Sequence, residues 1–178
     1  MTNQWANIVE TYNPTGYVEL FTLDTTGIDP TYGTVYRFTP MNNGAGSNIS
    51  FGGFTYTALP IRATGFALAA GGTAPRPKLQ LPNPNGAFTF YIEQAGEWVG
   101  ATVTRIRTHV QFLDGQPDAD GTQHSPSEVY YIEQQTAGNS LLYEWELRWA
   151  TDRQGQMLPG RQILKDFGFP GVSVQGIN

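Results

Sequence analysis

Leu141-Leu142-Tyr143-Glu144-Trp145-Glu146-Leu147-Arg148-Trp149 is the stretch on which the fold class turns. Leu141, Tyr143, Trp145, Leu147 and Trp149 alternate with Leu142, Glu144, Glu146 and Arg148, so one set is apolar and the other mostly charged. Successive side chains of a strand leave on opposite faces, and this period of two predicts a strand with one face buried. Upstream, Val129 to Thr136 reads as a second strand and Ala137-Gly138-Asn139 as a short polar connection, which together predict a long antiparallel hairpin. Further back, Ile106, Val110 and Phe112 fall on one side of a strand, and Arg105, Arg107, His109 and Gln111 on the other. That pattern predicts a core face and a polar face.

The rest of the chain reads as short strands between turns. Tyr17 to Leu23, Val35 to Phe38 and Ile49 to Thr57 are rich in β-branched and aromatic residues. The segment Asn42 to Asn48 between the latter two has the composition of an exposed hairpin loop. Ala74 to Leu81 carries Pro75 and Pro77, which cannot donate to a ladder, so it is expected at a sheet edge or bulge and not as a central strand. Two short helices are expected. One carries Trp5, Ile8, Val9 and Tyr12; the other is capped by Asn85, lays Phe88, Ile92, Ala95 and Val99 along one face, and ends at Gly100. The alternative for Phe88 to Tyr91 is an extended strand.

Composition fits this pattern. The 178 residues hold 21 Gly and 12 Pro, which calls for many turns and few long helices. Leu, Ile, Val and Phe number 40, just above the ~20% share below which chains stay disordered. The length suits one domain, at one per ~150 residues. No repeat with a period of 20–50 residues marks a propeller or solenoid. The expected class is therefore all-β with one or two short helices, an antiparallel β-sandwich or barrel.

Charge and residue inventory exclude several functions. With a net charge of −5 and ten basic residues, the chain lacks the clustered Lys and Arg of a phosphate-tracking surface. It contains no cysteine, which removes disulfides, thiol nucleophiles and thiolate metal sites. The start lacks a signal-peptide pattern, and no apolar run reaches the ~18 residues of a membrane span, so assembly in the cytoplasm is the default expectation. No Gly-x-Ser-x-Gly elbow accompanies the serines. His109 falls on the polar strand face and His124 in a Gly, Asp and Ser loop, neither with an indicated catalytic partner.

Asp114, Asp118 and Asp120 bring three carboxylates into one loop, as a Ca²⁺ site needs, but Pro117 and the missing glutamate at the twelfth position depart from an EF-hand. An exposed acidic loop is the simpler reading. Glu144 and Glu146 share a strand face near ~7 Å apart, close to a glycosidase pair, yet alternation alone explains them. The glycines of Ala69-Ala70-Gly71-Gly72-Thr73 lack a P-loop lysine, and Gly52-Gly53 reads as a turn or bulge. Trp5, Trp98, Trp145 and Trp149 are either core residues or interface anchors. The tail Gly168 to Asn178 alternates with too few apolar residues to pack alone, and reads either as an arm that pairs with a neighbouring subunit or as a frayed end.

A set of short motifs resembles a known family in their order along the chain. Ala63-Thr64-Gly65-Phe66-Ala67-Leu68 is followed by Gly72-Thr73-Ala74-Pro75-Arg76-Pro77-Lys78-Leu79, Val99-Gly100-Ala101-Thr102-Val103, Phe112-Leu113-Asp114, Ile132-Glu133-Gln134 and Leu158-Pro159-Gly160-Arg161. Over about residues 50–162 this order resembles the minor tail protein L family of phages with long non-contractile tails. The resemblance implies a structural, non-enzymatic hub protein of the tail tip, located in the virion, with no cofactor expected in this chain. It implies a homotrimer placed between the distal tail protein ring and the central receptor-binding tip protein. The family's Cys-rich C-terminal domain holds an iron–sulfur cluster, and a chain without cysteine has no thiolates for one.

On this reading, residues 1–162 form the hub domain and 163–178 an extended C-terminal arm. The expected contact residues are Arg105, Arg107 and His109 on the polar strand face; Asn42, Asn43 and Asn48 in the loop; and Phe169, Val172 and Val174 in the arm. The alternative from another class is a carbohydrate-binding β-sandwich of a phage adhesion device, with Trp98 as an exposed sugar platform. A hydrolase working through Asp114, Asp118, Asp120 and His124 is the weaker alternative.

Overall fold

The alternating stretch forms a strand, and its parity is the one the sequence predicts. In the computed structural model, which describes residues 16–41, 45–66 and 76–149, nine strands are present. They are β1 (Tyr17–Asp24), β2 (Val35–Pro40), β3 (Ile49–Phe51), β4 (Phe54–Leu59), β5 (Arg62–Thr64), β6 (Lys78–Pro82), β7 (Thr102–His109), β8 (Glu128–Gly138) and β9 (Leu142–Trp149). Along β9, Tyr143, Trp145 and Leu147 are buried, and Glu144, Glu146 and Arg148 lie on the other face. Leu141 is the exception: it sits at the hairpin tip, 75% exposed. The turn is held by Asn139, whose Oδ1 accepts from the backbone N–H of Leu141 and Leu142 at 2.8 and 2.9 Å. Register shifts between Ile132 and Gln134 and between Gln135 and Ala137 bend β8 over its length.

The strands form one sheet in the order β3-β4-β2-β1-β7-β8-β9-β6-β5. All neighbours are antiparallel except β2 and β4, which run parallel over Phe38–Pro40 and Thr57–Leu59. The stretch Ile49 to Thr57, expected as one strand, divides into β3 and β4 because Gly52 and Gly53 adopt φ of 59° and 79°. Two successive positive φ values match the twist of a tight hairpin, and glycine takes them without a Cβ clash. The edge expectation for Ala74 to Leu81 is corrected: the strand is β6, and β5 covers its outer side. Pro77 precedes the ladder, and its carbonyl accepts from the Leu147 N–H at 2.7 Å.

Two apolar clusters lie on opposite faces. Phe21, Leu23, Phe38, Leu79, Val103, Ile132, Trp145 and Leu147 belong to the larger one, together with Ile92 and Trp98. Strands from β2 to β6 in sheet order share this cluster, so the sheet curls around it. Val18, Leu20, Ile49, Phe51, Tyr56, Phe112 and Leu113 form the smaller cluster. Strand β1 thus buries side chains on both faces, Val18 and Leu20 on one and Phe21 and Leu23 on the other. Burying a large apolar side chain contributes roughly 1.5–3 kcal/mol before entropy is counted.

The second expected helix is shorter and differently capped. Helix α1 spans Thr89–Gln94. Asn85 lies in the preceding turn at φ 56°, and it is the Asn83 Oδ1 that accepts from the Phe88 N–H, at 2.9 Å. Phe88, Ile92 and Ala95 pack on the large cluster as their spacing predicts, whereas Val99 is 46% exposed. The helix stops at Gln94, ahead of Gly96, rather than at Gly100. The expected N-terminal helix with Trp5, Ile8, Val9 and Tyr12, the loop residues Asn42 and Asn43, and the arm lie outside the described residues.

Candidate functional site

Strand pairing places Phe21 opposite Arg105 and Arg105 opposite Glu128, so β1, β7 and β8 present these side chains on one face. Val103 and Leu23 occupy the same face and belong to the core. Arg105 therefore stands at the boundary of the apolar cluster, 9% exposed, so the strand face that reads as polar in the sequence carries core at this position. Its Nη1 donates to Glu128 Oε2 at 2.9 Å, and its Nη2 donates to Glu19 Oε1. The Phe66 ring covers the guanidinium, with Cζ 4.9 Å from its centroid. Burial opposes the Arg105 charge, but the hydrogen bonds and charges of Glu19 and Glu128 more than offset this and raise its pKa. Tyr130 donates its hydroxyl to Glu128 Oε2 at 3.1 Å; burial, then the Glu128 charge, pushes its pKa up.

Arg107 sits at the outer end of this row. Its side chain is 47% exposed and donates to Glu128 Oε1 at 3.2 Å. His109, half-buried at the end of β7, is edge-on to Tyr17 with centroids 5.9 Å apart, and its Nδ1 accepts from the Gln111 N–H at 3.4 Å. A Cβ at Gly16 would fall 2.8 Å from the His109 ring, so glycine is what lets the chain enter β1 there. Asn48, at the start of β3, uses its Oδ1 to accept from the Ala58 N–H at 2.9 Å.

The acidic loop is organised around backbone turns. Asp114 accepts from Ser50 Oγ at 2.7 Å and from the N–H groups of Gly53 and Gly52 at 2.9 and 3.1 Å, clamping the β3–β4 turn. The Ser50 hydrogen bond and those of Gly53 and Gly52 lower its pKa. Asp120 accepts from the Thr122 hydroxyl and N–H, which lowers its pKa likewise. Asp118 is exposed. Among the described residues, no group of three His, Asp or Glu side chains converges in a way that fits a metal ion. His124 lies 2.6 Å from the Ser125 carbonyl through Nδ1, with its ring edge-on to Phe51.

Glu144 and Glu146 form part of a charged ladder on the outer face of β6, β9 and β8. Glu144 accepts from Lys78 Nζ at 3.0 Å, Gln80 Nε2 at 2.5 Å and Thr136 Oγ1 at 2.8 Å. Those bonds, Gln80 first, then Thr136 and Lys78, hold its pKa down at about 2. Glu146 takes Arg76 and Gln134 instead. The two carboxylates are thus engaged by separate partners.

Trp98 is 1% exposed and cannot be a sugar platform, which removes that role from the carbohydrate-binding alternative. It stacks on Trp145 at 5.5 Å, with φ of 60° following Glu97 at the same φ. Left-handed backbone costs ~1–2 kcal/mol per residue, and burial of the indole offsets it. Trp149 packs on Tyr130 with centroids 4.5 Å apart. The exposed aromatics are others, and the sequence reading missed them. Tyr32, Phe90 and Tyr91 are 47%, 52% and 38% exposed and meet edge-to-face, with centroids 5.5 to 6.3 Å apart. The available signal was the helical period of α1, which sets Phe90 and Tyr91 off the Phe88–Ile92–Ala95 face.

With this geometry in hand, likeness to known proteins becomes informative. The family described as Phage minor tail protein L matches residues 30–169, from the turn before β2 through the end of β9 and beyond. Tail tip protein L of Escherichia phage lambda is 30% identical over 152 residues, which takes in 83% of this chain and 64% of that protein. A chain from the virion of a native gene transfer agent (GTA) particle shares the fold with a TM-score of 0.50 at 19% identity, over 88% of this chain and 47% of that one. This chain thus spans less than two thirds of either relative's length. With the family matched over most of its residues, the chain belongs to the phage minor tail protein L family.

Proposed function

We propose that this chain is a hub adaptor of a phage tail tip, a homotrimer that stacks on the distal tail protein ring and receives the central receptor-binding tip protein. Family membership makes it a structural protein of the phage virion, and this is the observation that carries the reading. The match covers β2 to β9, eight of the nine described strands, so most of the scaffold that would stack in a tail is held in common.

The physical features support assembly rather than catalysis. Affinity between subunits comes from area and a few anchors, not from a convergent polar pocket. His109 caps a turn, and His124 faces a backbone carbonyl and Phe51. Arg107, with Glu19 beside it across β1 and β7, supplies a half-exposed charged rim. Arg105 acts behind it as a positioning residue. His109 and Asn48 extend the contact reading among the described residues; Asn42, Asn43, Phe169, Val172 and Val174 extend it beyond them. Copy number per particle tests the proposal: quantitative mass spectrometry of purified virions should find the chain at three copies for each distal tail ring. Its absence from washed particles would overturn the proposal.

A further inference from the structure

Strand β2 has a partner on each side for only half of its length. The ladder to β4 begins at Phe38, so Val35–Arg37 pairs with β1 on one side and has no strand on the other among the described residues. Where β2 and β4 part, they leave a groove of about 390 Å³ lined by Val35, Arg37, Thr55, Thr57, Pro84 and Phe88. Both walls lead to the exposed aromatic trio: Tyr32 lies three residues before Val35, and Phe90 two after Phe88. Unpaired edge backbone beside exposed rings suits an extended peptide, which draws affinity from main-chain bonds and specificity from side-chain anchors.

We propose that this half-open edge is a strand-addition site and that its occupant is the segment Phe169–Ile177 of a neighbouring copy of this chain. The proposal rests on the self-assembly put forward above. Phe169 lies twenty residues beyond Trp149, enough for ~66 Å when extended at ~3.3 Å per residue. Tyr36 and Trp149 fall in one transverse row, through Leu23, Val103 and Tyr130, about 19 Å apart at ~4.8 Å per strand. The segment is therefore long enough to reach such an edge, and its assignment to a neighbouring copy is what the cross-linking below tests. Val172-Ser173-Val174-Gln175 has the alternation of a strand with one apolar face, Phe169 supplies a ring for the aromatic trio, and Pro170 is tolerated at the start of an added strand. Residues 170–178 lie beyond the family match.

The absence of cysteine makes the test direct, since every introduced thiol is unique. Full-length Val35→Cys is mixed with differently tagged Val172→Cys, Ser173→Cys, Val174→Cys or Gln175→Cys and oxidised mildly. A disulfide needs Cα atoms within ~7 Å, so cross-linking between copies should alternate along the panel, at least fivefold between adjacent positions. Yields that are flat along the panel overturn the proposal. So do bonds that form only when both cysteines share one chain. Deletion of residues 170–178 separates the two readings: a deleted chain that still binds the distal tail ring, with no cross-link in the intact one, sinks the arm and keeps the hub. Failure of both chains to bind the ring sinks the hub itself.

Discussion

Replacing Arg105 and Arg107 one at a time by methionine should give two very different proteins, although both are arginines two residues apart on one strand. Arg105 has an 11% exposed side chain, and its loss leaves Glu19 and Glu128 facing the space it filled. Removing one partner of a fully buried ion pair costs ~3–5 kcal/mol. The Glu19 and Glu128 side chains are 35% and 20% exposed, so water recovers part of that. Methionine keeps the packing of the stem under Phe66 but loses the cation–π contact. The net loss is about 2–3 kcal/mol for Arg105→Met. Arg107 is 47% exposed with a single 3.2 Å contact, so its replacement costs about 0.5 kcal/mol or less. Urea unfolding followed by tryptophan fluorescence reads both. At a slope of ~2 kcal/mol per molar, the midpoint falls by about 1–1.5 M for Arg105→Met and less than about 0.3 M for Arg107→Met. Equal shifts in the two variants would refute the assignment of Arg105 to the core boundary.

Other consequences are as open to measurement. Arg107→Met should weaken association with partner tail proteins several-fold while its urea midpoint stays within about 0.3 M of the parent; unchanged binding removes Arg107 from the contact surface. Trp98→Ala empties a buried site against Trp145 and should cost ~3–5 kcal/mol, and a loss under about 1 kcal/mol would place the indole at the surface. The Glu144 pKa of about 2 lies below its ordinary 4.5, so its stabilisation is complete above the ordinary value and is lost as pH falls from there towards 2. Glu144→Gln should flatten the stability profile in that window, and superimposable profiles would contradict the ladder. Asp114→Ala frees the β3–β4 turn at a cost of ~1 kcal/mol, by analogy with a lost cap, which differential hydrogen exchange at Gly52 and Gly53 would localise.

Period and turn chemistry were legible in the sequence because both are local. Tyr143, Trp145 and Leu147 face the core as their spacing predicts, and Asn139 closes the hairpin where a polar connection stood. Depth was not legible. Alternation assigns Arg105 a face, but only the register shows that this face carries Phe21 on one side and Glu128 on the other. The same holds for Trp98, whose burial depends on a left-handed turn that sets it against a strand 47 residues further on. Tyr32 meets Phe90 and Tyr91 through tertiary packing between a loop and α1, and no pattern in either segment announces the other. Family membership came through the order of short motifs, and the match over residues 30–169 bears it out.

The mass of the purified chain, alone and mixed with the distal tail protein, measured by light scattering on a sizing column, tests the hub reading most directly. A trimer that co-elutes with the ring as one complex is the predicted result. A monomer that elutes apart from the ring at concentrations where tails assemble would contradict it.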